Sequence, residues 1–213
     1  MGKLWPLLLA LLTCSLIVLP PQFVSAQTCL NTTAQCDWPN GLRVSARQTF
    51  YTIEGETAPQ LVAQIQNRGP LWSNGYRYEA MHTWKLNRSY SMVQQGDRCH
   101  LITVNIAVES EITLPHWEPP ADASGQLVAN WDHYTKALKQ HENGHRDISI
   151  AAGEQVLQQL RRLPNSATCA QLRTAAKAIV DDILEQTSNQ QRDYDASTQH
   201  GLTQGASYSQ WLN

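Results

Sequence analysis

Hydrophobic and polar residues alternate through much of the first half of the chain. One alternating run extends from Tyr76 to Met92 and a second from Cys99 to Leu114, with a Gln-Gly-Asp turn at 95–97 between them. Because successive side chains of a strand point to opposite faces, this pattern is typical of a β-hairpin with one face on the core. An earlier segment rich in aromatic and β-branched residues, Gln48 to Ile53, predicts another strand.

Capping residues and prolines indicate where these elements begin and end. Thr57 is suited to cap a short helix with Pro59 in its first turn, and the Gly-Pro pair at 69–70 ends that helix. The run from Pro115 to Pro120 holds three prolines, and proline cannot donate to a sheet ladder. We therefore expect the second strand of the hairpin to end at Pro115.

In the second half of the chain, apolar residues recur every three or four positions, which is typical of amphipathic helices. Ser124 is suited to cap a helix whose apolar stripe extends from Leu127 to Leu160, before Pro164 ends it. A second helical pattern, from Cys169 to about Gln191, should return antiparallel against the first. The sequence thus predicts an α+β protein, with an antiparallel β-sheet packed against two long antiparallel helices.

The amino terminus has the features of a secretory signal peptide. Lys3 precedes an apolar run from Leu4 to Leu19, and a Val-Ser-Ala sequence at 24–26 supplies the small residues that signal peptidase prefers. We expect residues 1–26 to be removed. Residues 27–213 should then form a single domain that is secreted or periplasmic, with no stable insertion in a membrane.

Four cysteines remain after this cleavage, an even number in a chain bound for an oxidising compartment. Two disulfides are therefore expected. Three pairings are possible, and closeness along the chain favours Cys29 with Cys36, which leaves Cys99 with Cys169.

The composition narrows the class of protein. A hydrophobic fraction of 42% agrees with a globular domain. The formal charge is −2, and the sequence has no lysine- or arginine-rich block. The charge pattern therefore predicts no nucleic-acid partner.

Residues 141 to 145 are His-Glu-Asn-Gly-His and match the short zinc-binding signature H-E-x-x-H. They fall on the apolar face of the first long helix, where positions i and i+4 are neighbours. His141 and His145 can therefore present two imidazole nitrogens to one Zn²⁺. Glu142 can take a proton from a zinc-bound water whose pKa the metal lowers to about 7.

Gly144 lies in the middle of this predicted helix, where glycine costs about 1 kcal/mol relative to alanine. Close approach of another segment or a ligand to the helix backbone explains a glycine there, and a local bend of the helix explains it equally well. The cost favours a functional role for the pentad.

A zinc site needs a third protein ligand, and a catalytic site leaves the fourth position to water. The extended signature H-E-x-x-H-x-x-G-x-x-H is excluded because its last position falls on Ala151. If the second helix returns antiparallel, residues 190–200 lie level with His141. This stretch contains Tyr194, Asp195 and His200.

Several segments together resemble one known family. They are EGETAPQL at 54–61, GDRCHL at 96–101, ITLPHWEPP at 112–120, HENGHRDI at 141–148 and YDASTQHGLTQGA at 194–206. The set resembles the predicted secreted zinc-dependent proteases of bacteria, long designated a domain of unknown function and related to the zincin metallopeptidases. The resemblance implies a zincin-like fold. It also implies the following site residues: His141 and His145 as ligands, Glu142 as catalytic residue, and Tyr194, Asp195 and His200 as further candidates.

Among these candidates we favour His200 as the third ligand, because an imidazole completes a His₃ site and Gly201 lets the backbone turn the ring inward. Asp195 is the alternative, either as a ligand itself or as acceptor of the other ring N–H of a ligating histidine. Tyr194 is assigned to stabilising the oxyanion of a tetrahedral intermediate, the alternative being an exposed tyrosine at a helix end. The remaining histidines of the mature chain are assigned to structural or surface positions: His82, His100, His116 and His133.

These residues predict a secreted or periplasmic zinc-dependent endopeptidase. Zn²⁺ polarises the scissile carbonyl, while Glu142 deprotonates water and later protonates the leaving amine. The partner is a peptide or protein substrate, for which addition as a strand along a sheet edge is one mode of binding. The competing hypothesis is a non-catalytic binding module, a pseudo-peptidase in which zinc only braces the helix pair.

Overall fold

The computed structural model describes residues 33–38 and 41–212. The predicted signal peptide and Cys29 lie outside these residues, so the predicted Cys29–Cys36 disulfide falls outside the part of the chain that the structure describes. The described elements form a mixed β-sheet, three α-helices and two 3₁₀ turns, so the α+β class is confirmed. In chain order they are β1 (Thr33–Trp38), β2 (Leu42–Ile53), α1 (Ala58–Arg68), β3 (Met81–Gln95), β4 (Arg98–Trp117), α2 (Gly125–Arg161), α3 (Cys169–Thr198) and 3₁₀ turns at Leu202–Gln204 and Tyr208–Gln210.

The sheet has the strand order β1-β2-β4-β3. β3 and β4 form the predicted antiparallel hairpin, and β1 is antiparallel to β2. β2 and β4, however, pair in parallel, with Leu42 opposite Ile106 and Ile53 opposite Trp117. The prediction of a purely antiparallel sheet is therefore wrong for this pair. Alternation along a strand reports which face is buried but not the direction of its neighbour, and here α1 and β3 return the chain to the same direction.

β4 continues through Pro115 to Trp117, so the prediction that it ends at Pro115 is also wrong. β3 begins at Met81, opposite Thr113, and at Pro115 it is β2 that pairs with β4, through Tyr51. Proline is tolerated where a strand has a neighbour on one side only, because the unpaired side needs no N–H donor.

The helices follow the predicted caps closely. α1 begins after Thr57, and the Ser124 Oγ at the start of α2 accepts the Leu127 N–H at 3.2 Å. α2 is a continuous helix of 37 residues, and α3, with 30 residues, ends at Thr198 rather than near Gln191. Within the described ranges, no helix has both the length and the hydropathy needed to cross a bilayer.

Two apolar clusters flank the middle of α2. On α2 itself, Leu138 belongs to one cluster and Ile150 to the other, so residues 141–145 lie between the clusters. The first cluster joins the sheet to α2 and α3 and includes Ile106, Val108, Val156, Leu160 and Val180. The second joins α1, the end of β4, the first turns of α2 and the carboxy-terminal segment, and includes Leu61, Trp117, Trp131, Tyr134 and Leu212.

Cys99 at the start of β4 and Cys169 at the start of α3 form a disulfide across a sequence separation of 70 residues, with their Cα atoms 5.1 Å apart. The predicted pairing of these two cysteines is confirmed. Closing a loop of this length stabilises a fold by about 4 kcal/mol in the chain-entropy model.

We expect the mature protein to react with no alkylating reagent before reduction, and the double variant Cys99→Ala/Cys169→Ala to unfold at lower denaturant concentration. Mass spectrometry after alkylation and a denaturant titration measure the two effects. Two alkylated thiols in the unreduced native protein would contradict full pairing of the four cysteines.

Candidate metal centre

The centre is formed where α3 passes the middle of α2. His141 and His145 lie one turn apart on α2, and the Asp195 carboxylate on α3 faces both rings. Asp195 Oδ1 is 3.0 Å from His145 Nε2 and 3.4 Å from His141 Nε2. Potential ligand atoms of all three residues lie within 4.8 Å of one another. Among the described residues, this is the cluster of His, Cys, Asp or Glu side chains that can converge on one metal ion.

The centre is buried on the α2 side and more open on the α3 side. His141 and Glu142 are each 5% exposed, whereas the Asp195 side chain is 31% exposed. Charges interact more strongly on the α2 side of the centre than on the surface, because water is largely excluded there.

Gln191 on α3 orients the ring of His145. Its Nε2 donates to the backbone carbonyl of His145 at 3.0 Å and to Ser149 Oγ at 3.1 Å, and its Oε1 lies against His145 Nδ1. Because a backbone carbonyl only accepts, the amide nitrogen must be on that side and the oxygen must face the ring. His145 therefore donates its Nδ1–H, and its Nε2 faces Asp195 Oδ1, to which the protonated ring donates a hydrogen bond.

Gln204, in the first 3₁₀ turn, orients the ring of His141 in a similar way. Its Oε1 is 2.9 Å from His141 Nδ1, and its Nε2 is 3.2 Å from the hydroxyl oxygen of Tyr194. That hydroxyl donates to the backbone carbonyl of His141 at 3.2 Å, so its oxygen is left to accept from the glutamine amide. His141, like His145, thus donates Nδ1–H and presents Nε2 to the centre.

The ring of Tyr194 explains Gly144. A Cβ atom at position 144 would lie 2.2 Å from the tyrosine oxygen and 2.4 Å from Cζ, too close for any side chain. Close approach of another segment, one of the two explanations from the sequence, is therefore confirmed. The Tyr194 ring stacks on His141 with centroids 5.1 Å apart and meets His145 edge to face at 4.9 Å. The role of Tyr194 in stabilising an oxyanion stays a prediction. Its hydroxyl group is hydrogen-bonded to the His141 carbonyl and to the Gln204 amide.

His200 lies at the edge of the centre and is not one of its three converging residues, His141, His145 and Asp195. Its side chain is 75% exposed, and its Nδ1 is 3.6 Å from Asp195 Oδ1. It follows α3 in a turn where Gln199, His200 and Gly201 all have positive φ angles. A Cβ atom at position 201 would lie 3.0 Å from His141 Cγ, so this turn packs glycine, not the ring of His200, directly on His141.

Glu142 is buried beside the two ligand candidates. Burial raises the pKa of its carboxyl group to about 7, although the charges of His145 and His141 act to lower it. Burial acts to raise the pKa of Asp195 as well, but hydrogen bonds with His141 and His145 hold that pKa well below its usual range. Burial acts to lower the pKa of His145, but hydrogen bonds with Asp195 and Gln191 raise it overall. The centre thus stabilises positive charge between Asp195 and the rings.

His82 on β3 is a neighbour of the centre that the sequence assigned to a structural or surface position. Its ring is stacked on His145, with centroids 6.3 Å apart and an interplanar angle of 6°, and its Nε2 is 3.0 Å from Ser110 Oγ. Burial, together with the charges of His145 and Arg146, lowers the pKa of His82 to about 3. The ring is therefore neutral and forms a wall of the centre, which agrees with a structural role.

Sequence reasoning also missed Gln191 and Gln204, because an isolated glutamine belongs to no metal-site signature. One signal was present in the chain. Gln204 lies inside the segment 194–206 that carried the family resemblance, between two glycines, Gly201 and Gly205, which adopt positive φ. Glycines on both sides of a polar residue indicate a backbone shaped to present that side chain.

The fold and the centre define an α+β protein in which a helix with a buried glutamate contributes two histidines to a cluster completed by an aspartate. The chain belongs to the family described as a bacterial protein of unknown function, DUF922, whose model matches residues 48–201. The matched range contains all the candidate residues on α2 and α3, together with His200. No curated protein and no solved structure matches the chain in the corresponding comparisons.

Proposed function

We propose that this protein is a secreted zinc-dependent hydrolase of peptide bonds, with the metal held by His141 Nε2, His145 Nε2 and Asp195 Oδ1. The observation that carries the proposal is the direction in which the two imidazole Nε2 atoms face. Both Nδ1–H groups are engaged by glutamine oxygens, so both Nε2 atoms face one carboxylate oxygen within 3.4 Å. Such an arrangement needs a cation between its members, either a further proton or a metal ion.

The donor set fits zinc. Two imidazole nitrogens and one carboxylate oxygen make up a common catalytic zinc site, and the fourth position is left open. Asp195 supports this set better than His200 does, because its oxygen already faces both rings while the His200 side chain is 75% exposed. The partial exposure of Asp195 leaves the open position accessible to water and substrate.

When bound, Zn²⁺ supplies Lewis acidity and lowers the pKa of water to about 7. Glu142 is the base in this proposal: its carboxylate takes the proton of the attacking water and delivers it to the nitrogen of the leaving amine. Its position supports the role, since it is 5% exposed and close enough to His145, His141 and Asp195 for their charges to act on it. His82 and Tyr194 cover other faces of the two ligand rings and keep water from them.

Three further features support the zincin-like fold, the peptide substrate and the location outside the cytoplasm. Contacts between α2 and α3 run in opposite sequence order, His145 with Gln191 and His141 with Asp195, as expected for an antiparallel pair in a zincin-like domain. β3 is an edge strand of the described sheet and brings His82 beside the centre, so a peptide substrate can add along β3. The Cys99–Cys169 disulfide agrees with an oxidising compartment outside the cytoplasm.

The test is metal content together with chelation. We expect one zinc per chain in the purified mature protein, measured by elemental mass spectrometry. Hydrolysis of a broad peptide library should disappear after treatment with a chelator and return when Zn²⁺ is added. Protein without metal above trace would remove the centre, whereas protein that holds zinc and cleaves no peptide would favour the non-catalytic binding module.

A further inference from the structure

The two ligand histidines are oriented by the same chemical group, a glutamine carboxamide, from different parts of the chain. Gln191 lies on α3 and Gln204 lies in the 3₁₀ turn beyond it. In each case the amide oxygen faces Nδ1 of the ring, and the amide nitrogen is fixed by the backbone carbonyl of that same histidine. The link is direct for Gln191 and passes through the Tyr194 hydroxyl for Gln204.

We propose that Gln191 and Gln204 are positioning residues that fix the Nδ1–H tautomer of His145 and His141 and so present both Nε2 atoms to the metal. This inference rests on the proposed function, because it assigns a role toward the same centre. A neutral histidine carries one ring proton, and an oxygen acceptor held at Nδ1 keeps that proton away from Nε2. Partners of this kind at other metal sites contribute about 10 to 100-fold in metal affinity.

The segment that carries Gln204 is itself held in place by contacts away from the centre. The Glu79 carboxylate accepts the backbone N–H of Tyr208 at 2.9 Å and the hydroxyl of Ser207 at 3.2 Å. The Asn130 side chain donates to the carbonyl of Trp211 at 2.7 Å, and Leu212 is buried. Gln204 thus approaches His141 from an anchored backbone, as accurate positioning of a ring requires.

Replacement by glutamate should affect the two positions differently, and this difference makes the proposal testable. At position 204 a glutamate keeps an oxygen for the Nδ1–H of His141, and the one Tyr194 hydroxyl proton can turn from the His141 carbonyl to its second oxygen. At position 191 a glutamate places its second oxygen against the carbonyl of His145 and loses both hydrogen bonds of the amide nitrogen. Glutamate should therefore be tolerated at 204 and not at 191.

The experiment measures the Zn²⁺ dissociation constant by competition with a chelator in full-length mature protein. We expect Gln204→Leu, Gln191→Leu and Gln191→Glu each to weaken zinc binding by about 10 to 100-fold. Gln204→Glu should stay within about threefold of wild type. Matched controls are Gln190→Leu and Gln210→Leu, two exposed glutamines next to or near the positions tested, which should also bind zinc like wild type.

Two further readouts separate positioning from simple structural support. In ¹⁵N-histidine-labelled zinc protein, the His141 Nδ1–H should give a slowly exchanging proton signal in wild type and Gln204→Glu and none in Gln204→Leu. The thermal midpoint of the metal-free protein should differ little between Gln204→Glu and Gln204→Leu. A structural role would instead lower this midpoint in step with zinc affinity.

The outcomes distinguish this inference from the proposed function. If His141→Ala keeps the zinc of wild type, the metal centre itself is wrong. If His141→Ala loses zinc while both leucine variants bind it like wild type, the centre stands and the role of the glutamines is overturned. Equal losses in Gln204→Glu and Gln204→Leu would likewise overturn the assigned orientation of the amide.

Discussion

Replacing Glu142 with glutamine should lower hydrolysis of a peptide library by at least about 100-fold while leaving zinc bound. The loss is the low end of what a positioned general base contributes, since the substitution removes the proton acceptor and keeps the size of the side chain. Zinc should remain because His141, His145 and Asp195, not Glu142, supply the converging ligand atoms. The measurements are initial rates at equal zinc occupancy and metal content by elemental mass spectrometry.

Glu154→Gln is the matched control for this variant. Glu154 lies on the same helix, twelve residues further along, which is about 18 Å along the axis at 1.5 Å per residue. The control should hydrolyse peptides like wild type. A Glu142→Gln variant that cleaves as fast as wild type would refute water activation by Glu142, and the non-catalytic module would then be favoured.

Asp195→Ala should abolish most zinc binding, whereas His200→Ala should bind zinc nearly as wild type does. Structural zinc sites hold the metal with about 10–16 kcal/mol shared among four ligands, so loss of one ligand costs about 3 to 4 kcal/mol, which is more than about 100-fold in affinity. Asp195 Oδ1 faces both ligand rings, while the His200 side chain is largely exposed. Zinc dissociation constants of the two variants, measured by the same chelator competition, give the comparison.

The His141→Ala variant shows how much zinc affinity is lost when a ligand is removed. An equal loss of zinc affinity in Asp195→Ala would support the carboxylate as the third ligand. The reverse order, with His200→Ala losing zinc and Asp195→Ala weakened only about 10 to 100-fold, would restore the His₃ site favoured from the sequence and leave Asp195 as a hydrogen-bond partner of a ligand.

The sequence predicted more of the fold on the helical side than in the sheet. Ser124 and Pro164 bounded α2 correctly because capping and helix termination depend on residues within one or two turns. The end of α3 was missed because residues 192–198 carry no apolar stripe. Tyr194 and Asp195 are helical there through contacts with α2, which a local pattern does not contain. The parallel pairing of β2 with β4 was missed because it also depends on contacts between distant segments, which a local pattern does not contain.

What the sequence alone determined is the part of the centre that lies within a single helix. The spacing of His141 and His145 requires both rings to lie on one face of α2, and Gly144 required a close neighbour or a bend, because both follow from helix geometry. The sequence predicted that residues 190–200 come level with His141, but only the tertiary structure decided which side chains of α3 and beyond meet those rings. Asp195, Gln191 and Gln204 lie 46 to 63 residues from their histidine partners, and their approach depends on how two helices and a turn pack. Long-range packing is set by the whole core, so no local pattern in the chain encodes it.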